Sequence, residues 1–331
     1  MPASAETRPR ICIASPALAG ANNGNEHTAA RWQTFLEPMA TVELHASGDD
    51  PGEGSLLIAL HARRSASAIA RWLERSPNAP VALVLTGTDL YRDLDQDPGA
   101  RHALECASGV VVLQEAGLDR LDAATRSRAR VIVQSAPALH LPRRPGDADF
   151  IAVGHLREEK DPRTLFAAMR LLADDAAPSP TLLHLGSALD PLLGEAATAT
   201  MARCPAYRWA GARPHAAARR AIARARALVH ASRIEGGANV VIEAVRSGVP
   251  VLASRIDGNV GLLGAAYDGC FAVGDAAALA ALMRRFLADA AFATHLAAQC
   301  AAREPLFRPA AERRAVRALA ADLLRAWPDP R

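Results

Sequence analysis

The chain has 331 residues, a formal net charge of +3, and 50% apolar residues. This length suits two domains of about 150 residues, each able to bury its own core. Because the arginines are interspersed with Asp and Glu, the composition argues against a protein that coats nucleic acid, while a basic patch for one small anion stays open.

The five cysteines lie far apart and form no Cys-x-x-Cys pair, so we predict neither a zinc site nor a disulfide framework. The expected setting is a reducing cytoplasm. The first residues lack the apolar core of a signal peptide, and no run approaches the roughly 18 apolar residues of a membrane span. We therefore expect a cytoplasmic protein with no nucleic-acid partner and no membrane association.

In chain order, the first half alternates short apolar runs with helical patterns. Strands are predicted at residues 11–14, 42–45, 56–60, 81–85, 110–113 and 131–133, and helices at 26–36, 68–73, 101–106 and 118–128. This alternation predicts a parallel sheet with helices on both faces.

Two polar loops follow predicted strands of the first half, at the sheet edge where open α/β sheets bind ligands. Their hydroxyl and amide donors, with one guanidinium, could bind an oxyanion. The residues are Asn22, Asn23, Gly24 and Asn25 in one loop and Thr86, Gly87, Thr88 and Arg92 in the other. For the first loop, a plain connection rich in turn formers is the alternative.

The aspartates Asp93, Asp95 and Asp97 have the Asp-x-Asp spacing of some metal-diphosphate sites. Three-residue patterns arise easily by chance, and Pro98-Gly99 follows directly. We interpret these aspartates as part of a solvated surface loop and predict no catalytic metal.

Residues 141–149 are rich in Pro, Gly and charge, and we interpret them as a linker between domains at 1–140 and 150–305. The second half repeats the alternation, with strands predicted at 150–153, 182–185, 208–210, 228–231 and 250–253. Arginines between residues 219 and 226 are expected on a solvated helix face. Alanine-rich helices end the chain, and His230 is expected to be a core or rim histidine.

The segment 233–253 combines a turn, a helix and a strand around two carboxylates, Glu235 and Glu243, with seven residues between them. Gly236 and Gly237 let the backbone approach a ligand, and the amides at the helix start can bind an anion. Glu235 precedes the helix and Glu243 lies within it, so different roles are expected. The alternative is one glutamate on a solvated helix face and another in a loop.

This pattern, with the turn from Gly154 to Lys160, resembles the nucleotide-sugar site of retaining two-domain (GT-B) glycosyltransferases. The resemblance implies an α/β fold of two Rossmann-like domains facing a cleft, with a C-terminal helix at 306–331 crossing back to the first domain. It implies that Glu243 binds the ribose hydroxyls and that Glu235 lies near the sugar. Lys160 matches a residue that grips the departing diphosphate, whereas His155 replaces an arginine, for which Arg157 could substitute.

The resemblance assigns one set of residues to the nucleotide-sugar: Gly154, His155, Arg157, Lys160, Gly186, Gly211, Arg213, Glu235, Gly236, Gly237, Ala238, Asn239, Val240 and Glu243. Within it, Ala238 to Val240 would cradle the diphosphate. The residues expected to take part in catalysis are Lys160, Glu235, Thr88 and Arg92.

Four strings together, at residues 22–32, 85–92, 154–160 and 232–263, resemble the bacterial selenosugar synthases of selenoneine biosynthesis. That resemblance implies transfer of GlcNAc or glucose from a UDP-sugar to selenophosphate, giving a 1-seleno-sugar, UDP and phosphate. The UDP-sugar is then a co-substrate, and no cofactor is expected. A selenophosphate synthetase and a sulfoxide-synthase-like enzyme would be functional partners.

The resemblance implies that the two polar loops of the first half, at residues 22–25 and 86–92, bind selenophosphate. Thr86 stands where many members of the wider family have a histidine, and an anionic, soft nucleophile needs little help from a general base. Three alternatives stay open: a glycosyltransferase with a hydroxyl acceptor, a UDP-sugar epimerase, and a non-catalytic UDP-sugar-binding protein.

Overall fold

The computed structural model describes residues 8–18, 20, 23–174 and 179–326. The chain divides into two compact units, the first made of residues 1–134 and 309–331 and the second of residues 135–308. Each unit is built on a six-stranded sheet whose strands pair in parallel. The predicted α/β class with two Rossmann-like halves is confirmed.

The strands in chain order are β1 (Arg10–Ser15), β2 (Thr41–Ala46), β3 (Leu56–Leu60), β4 (Val81–Leu85), β5 (Gly109–Val112), β6 (Ala129–Val131), β7 (Phe150–Val153), β8 (Leu182–Leu185), β9 (Tyr207–Trp209), β10 (Ala227–His230), β11 (Val251–Ser254) and β12 (Cys270–Phe271).

The α-helices are α1 (Gly24–Leu36), α2 (Ala62–Arg75), α3 (Leu94–Gln96), α4 (Pro98–Cys106), α5 (Ala123–Ser127), α6 (Pro162–Ala173), α7 (Pro191–Arg203), α8 (His215–Arg224), α9 (Asn239–Arg246), α10 (Asp257–Leu263), α11 (Ala276–Ala288), α12 (Ala290–Arg303) and α13 (Pro309–Ala326). Short 3₁₀ segments lie at Glu115–Arg120, Glu158–Lys160 and Glu304–Phe307, and a π-helical turn lies at Asp89–Asp93. Within the described part of the chain, no helix has both the length and the apolar character needed to cross a membrane.

Both sheets contain a reversal of strand order. The first sheet runs β2-β1-β3-β4-β5-β6, so the chain leaves β1 toward one side and returns to build the other side from β3 onward. The second runs β12-β11-β10-β7-β8-β9, with the reversal between β7 and β10. Sheets of this kind bind ligands outside the carboxyl ends of the strands at such a reversal.

The core of the first unit lies on both faces of its sheet. Every residue of β3, β4 and β5 is buried, as expected where helices cover both faces. Trp32 of α1 and Leu319 of α13 belong to the core on one face, and Trp72 of α2 belongs to the core on the other. The C-terminal helix is therefore part of the first unit.

A buried carboxylate ties α13 to α1. Glu312 is 1% exposed and accepts hydrogen bonds from Arg31 Nε at 2.7 Å, Arg31 Nη2 at 2.9 Å and Trp32 Nε1 at 2.8 Å. Burying a carboxylate is costly unless charged and polar donors replace its water, and here they do. Arg31 and Glu312 are 281 positions apart in sequence, so this ion pair connects α13 to α1.

The structure divides one predicted helix and moves the start of one predicted strand. Residues 118–128 do not form one helix, because the 3₁₀ segment ends and Asp122 starts α5 by accepting a hydrogen bond from Thr125 N at 2.6 Å. An acidic N-cap residue starts a new helix where the apolar periodicity alone predicted one continuous helix. Strand β6 also begins two residues before the predicted strand at 131–133.

We expect Glu312→Ala to lower the free energy of unfolding by about 3 kcal/mol, because it leaves the mostly buried Arg31 without its partner. The matched control is Asp322→Ala on the same helix, which removes an ion pair with Arg130 at 2.7 Å. Both side chains of that pair are more than a third exposed and screened by water, so its loss should cost far less than the loss of Glu312. Urea denaturation followed by circular dichroism measures both, and equal losses would contradict the assignment.

Candidate functional site

Two segments meet at the strand-order reversal of the second sheet. One follows β7 and contains Lys160, and the other follows β10 and contains Glu235. The Lys160 Nζ atom lies 2.5 Å from Glu235 Oε1, although the two residues are 75 positions apart in sequence. The fold thus places two of the predicted catalytic residues in direct contact, at the position where sheets of this class bind ligands.

Glu235 is a largely buried carboxylate, with 12% of its side chain exposed. Burial alone raises the pKa of Glu235, but the positive charge of Lys160 and the contact with His230 outweigh it and hold the pKa well below its usual range. His230 Nε2 lies 3.3 Å from the carboxylate oxygen that contacts Lys160. The site therefore contains an ionised carboxylate at neutral pH.

Lys160 is the single lysine of the chain, and every other Lys/Arg position is arginine. In a sequence that uses arginine everywhere else, a lysine indicates a need for the compact ammonium group, which acts as a point charge with three rotatable donors. The amino-acid composition alone contains this signal.

The turn that carries Lys160 is held by its neighbour Asp161. Asp161 has a φ of 44°, in the left-handed region, and its carboxylate accepts a hydrogen bond from Thr164 Oγ1 at 2.8 Å at the start of α6. Arg233 Nε lies 3.2 Å from the same carboxylate, and Arg233 N donates to the Glu159 carbonyl at 2.8 Å. The turn after β7 is thereby fixed to the segment after β10.

Glycines allow the loops of the second unit to approach each other closely. A Cβ atom on Gly186 would lie 2.0 Å from the Gly154 carbonyl oxygen, and Gly186 N donates to the Gly211 carbonyl at 2.9 Å. A Cβ atom on Gly258, in the first turn of α10, would lie 2.2 Å from the Glu235 carbonyl oxygen. Only glycine fits at positions 186 and 258 without moving backbone.

The start of α9 has the features of an anion site. Its N-cap residue, Ala238, has no side-chain acceptor, and the Ala238 carbonyl takes the amides of Val241 and Ile242. The helix itself gives the amides of Asn239 and Val240 no partner, and such amides suit a phosphate group.

Glu243 lies one turn further along α9, on the same face as Asn239. It is buried, so the alternative of a solvated glutamate is wrong. One oxygen, Oε1, accepts a hydrogen bond from His215 Nε2 at 2.5 Å, and Arg219 Nε lies 4.0 Å from that oxygen. The carboxylate keeps further acceptor capacity for a ligand with hydroxyl groups.

Other residues assigned to the nucleotide-sugar lie along the same edge of the sheet. His155 Nδ1 accepts a hydrogen bond from Ser187 N at 3.1 Å, which joins the loops after β7 and β8. Arg157 is half-buried, and its Nε atom has no hydrogen-bond partner among the described residues. Gly236 is buried and Gly237 half-buried between Glu235 and α9, and Arg213 is exposed in the loop before α8. Their contacts with a nucleotide-sugar stay a prediction.

His230 and Arg219 have contacts that the sequence pattern did not predict. His230 is buried, as a core histidine would be, but it also contacts Glu235. Arg219 was expected on a solvated face, yet its side chain is only 15% exposed and its Nη2 donates to the Pro137 carbonyl at 2.5 Å. The one signal in the sequence was that His230 lies next to the end of the strand predicted at 228–231.

In the first unit, the loop before α1 is partly engaged by its own side chain. Asn22 lies outside the described residues. Asn23 caps α1, because its Oδ1 accepts hydrogen bonds from the amides of Asn25 at 3.1 Å and Glu26 at 3.3 Å, and Gly24 is the first helical residue. Binding of an anion by this loop stays a prediction.

The loop after β4 is organised by Asp89, which is fully buried. Its carboxylate accepts hydrogen bonds from Thr86 N at 2.9 Å, Gly87 N at 2.7 Å and Ala62 N at 3.0 Å. The amides of Thr86 and Gly87 already have an anionic partner inside the protein. What this loop offers a ligand is therefore side chains, chiefly the Thr88 hydroxyl and the Arg92 guanidinium.

The interpretation of residues 93–97 as a solvated loop is wrong for Asp93. Asp93 is buried, with Arg63 Nε 2.9 Å and Arg92 Nε 3.2 Å from its two carboxylate oxygens. Burial raises its pKa, but the hydrogen bonds from the two arginines outweigh burial and lower it. Asp97 caps α4 by accepting from Ala100 N at 2.8 Å. In the described part of the chain, no group of three or more His, Cys, Asp or Glu residues is arranged to hold a metal ion.

Residues 140–303, most of the second unit, match the family model described as "Glycosyl transferases group 1". The second unit is therefore similar to group 1 glycosyl transferase domains. No curated protein matches the sequence.

Solved structures of similar fold cover from 81% to 97% of the chain. The Anabaena protein HepE in complex with UDP and glucose has a TM-score of 0.75 at 15% identity, over 95% of this chain and 100% of that chain. Sucrose-phosphate synthase from Thermosynechococcus elongatus has a TM-score of 0.75 at 18% identity, over 97% and 100%. The pneumococcal O-GlcNAc transferase GtfA in complex with UDP and GlcNAc has a TM-score of 0.61 at 16% identity, over 81% and 57%. These similarities confirm the GT-B fold.

We expect Gly186→Ala to destabilise the second unit by about 1 to 3 kcal/mol, because the new methyl group overlaps the Gly154 carbonyl and the loops after β7 and β8 must separate. Gly211→Ala is the matched control, since Gly211 has a φ of +67° but open space around it. That substitution should cost about 1 kcal/mol from the backbone alone. Calorimetry of both variants tests the prediction, which fails if Gly186→Ala is the milder change.

Proposed function

We propose that the protein is a glycosyltransferase that forms a C–Se bond. It transfers a hexosyl group, GlcNAc or glucose, from a UDP-sugar to selenophosphate. A selenium lone pair forms the new bond to the anomeric carbon, and the bond from that carbon to the diphosphate breaks with its electron pair on UDP. Water then replaces selenium at phosphorus, which releases phosphate and leaves the 1-seleno-sugar.

The contact between Lys160 and Glu235 beside the start of α9 is the observation that carries the donor half of the proposal. The amides of Asn239 and Val240 would bind the diphosphate, and Glu243 would accept the ribose hydroxyls. Lys160 would neutralise the charge that develops on the departing UDP, a contact typically worth about 3 kcal/mol in the transition state. Structures of HepE with UDP and glucose and of GtfA with UDP and GlcNAc support a UDP-sugar as donor.

The side chains of the first unit support an anionic acceptor. Asp93 holds Arg63 and Arg92 beside the loop that carries Thr88, and guanidinium and hydroxyl donors suit a phosphoryl group. Selenophosphate reaches the enzyme already ionised and nucleophilic, so the reaction needs no strong base. The proposal uses no metal or further cofactor, and it places the protein in selenium metabolism in the cytoplasm.

The deciding experiment incubates the protein with UDP-GlcNAc or UDP-glucose, with and without selenophosphate, and follows UDP release and products by mass spectrometry. We expect selenophosphate-dependent UDP release and a selenium-bearing sugar. UDP release only with hydroxyl acceptors would indicate an ordinary glycosyltransferase, and sugar interconversion without acceptor an epimerase. Binding of the UDP-sugar without any turnover would indicate a binding protein.

We expect Lys160→Ala to lower kcat by about 10² to 10³, because it removes a transition-state contact, and Glu243→Ala mainly to raise KM for the UDP-sugar. Lys160→Arg is the control that keeps the positive charge but replaces the compact ammonium group. Compared with the wild type, it should keep most of the affinity for UDP and lose more of its kcat. Because the chain has one lysine, ¹⁵N-lysine labelling gives a single side-chain NMR signal that reports UDP binding directly. Wild-type kinetics in both alanine variants would refute these roles.

A further inference from the structure

His61 is a buried histidine at the strand-order reversal of the first sheet. It follows β3 directly, is 3% exposed, and has a φ of 72°, in the left-handed region that residues other than glycine rarely adopt. Such a conformation persists only where the surrounding structure enforces it, and it concentrates at functional sites. The sequence motifs gave no role to this residue.

Hydrogen bonds from two loops hold His61 in place. Its amide donates to the Val84 carbonyl of β4 at 2.8 Å, and the next amide, of Ala62, donates to Asp89 at 3.0 Å. Since Asp89 also takes the amides of Thr86 and Gly87, the loops after β3 and β4 form one connected unit. The position of the imidazole relative to Thr88 is therefore set by backbone.

The hydrogen bonds of the imidazole also set its tautomer. Arg64 N donates to His61 Nδ1 at 3.5 Å, and His61 Nε2 lies 3.0 Å from Thr88 Oγ1. In a neutral ring whose Nδ1 accepts, Nε2 carries the proton and donates it. Thr88 Oγ1 then accepts from His61, and its own proton is directed to another acceptor.

The surroundings keep this ring neutral. Burial is the largest influence and lowers the pKa of His61, and Arg64 and Arg63 lower it further. Asp89 and Asp93, 3.9 Å and 3.8 Å from the two ring nitrogens, act in the opposite direction without reversing the shift. A neutral imidazole with Nδ1 engaged and Nε2 protonated does not act as a base.

We propose that His61 is a positioning residue that fixes Thr88 as a hydrogen-bond donor to the anionic acceptor. This inference rests on the proposed function and extends it. An ionised phosphoryl or selenium group accepts hydrogen bonds and offers none, so a hydroxyl that accepts from His61 and can donate its own proton matches it. His61, Thr88 and the two arginines on Asp93 lie at the carboxyl ends of β3 and β4, so one small anion could contact Thr88 and a guanidinium together.

The first test needs no substrate. In protein labelled with ¹⁵N-histidine, His61, assigned from the signal missing in His61→Gln, should be neutral and protonated at Nε2 at pH 7. Thr88→Val should shift that signal. An imidazolium at pH 7, or a proton on Nδ1, would overturn the inference.

The second test separates positioning from structure. We expect His61→Asn, which tolerates the left-handed φ but cannot reach Thr88, to raise KM for selenophosphate at least tenfold while KM for the UDP-sugar stays within twofold. His61→Gln, whose amide can donate from nearly the place of Nε2, should recover much of that loss. His102→Gln, at an exposed position on α4, is the control histidine variant.

If His61 acts through Thr88, adding His61→Asn to Thr88→Val should change KM for selenophosphate by less than twofold. Additive losses, or equal changes in both KM values, would overturn the positioning role. The two proposals fail separately. If the wild-type protein does not turn over selenophosphate, both the proposed function and the anion role of Thr88 are overturned. If the wild type turns over selenophosphate and Thr88→Val has an unchanged KM for it, only this inference is overturned.

Discussion

Carboxylates at the carboxyl ends of parallel strands lose most of their water, and each must be compensated by cations, by polar side chains or by backbone amides. Glu235 has Lys160, Glu243 has His215, and Asp93 has two arginines. Asp89 instead takes the amides of two loops. These pairings determine the conformation of the loops that would contact a ligand, so the geometry of both candidate sites depends on them.

The buried carboxylates of the two units have different kinds of hydrogen-bond partner. In the second unit the partners of Glu235 and Glu243 are side chains, and α9 begins with amides to which the helix gives no partner. A diphosphate can therefore be bound by backbone there. In the first unit the amides of Thr86 and Gly87 donate to Asp89, so an anion bound at that loop would have to contact side chains. The two candidate sites thus differ in the groups that they present to a ligand.

Histidines are engaged at both sites, and none of their contacts identifies a general base. His230 contacts a carboxylate that is ionised at neutral pH, and His61 directs its proton to a threonine hydroxyl. Such an arrangement suits an acceptor that is nucleophilic when it arrives. The single lysine of the chain also fits the proposed reaction, because its ammonium group lies where negative charge would develop on the departing nucleotide.

The sequence by itself determined the alternation of strands and helices, the two-unit α/β class and the segment in which Glu235 and Glu243 lie. These features follow from periodicity, turn residues and motif spacing, which act over a few positions. The sequence predicted one helix at 118–128, but Asp122 caps a new helix there. It predicted a solvated Asp93, but Asp93 is buried with Arg63, which is 30 positions away in sequence. Only the tertiary structure decided that Lys160 meets Glu235, that His215 meets Glu243 and that His61 meets Thr88. These pairs are 75, 28 and 27 positions apart, and the order of strands in each sheet, which no local pattern encodes, brings them together.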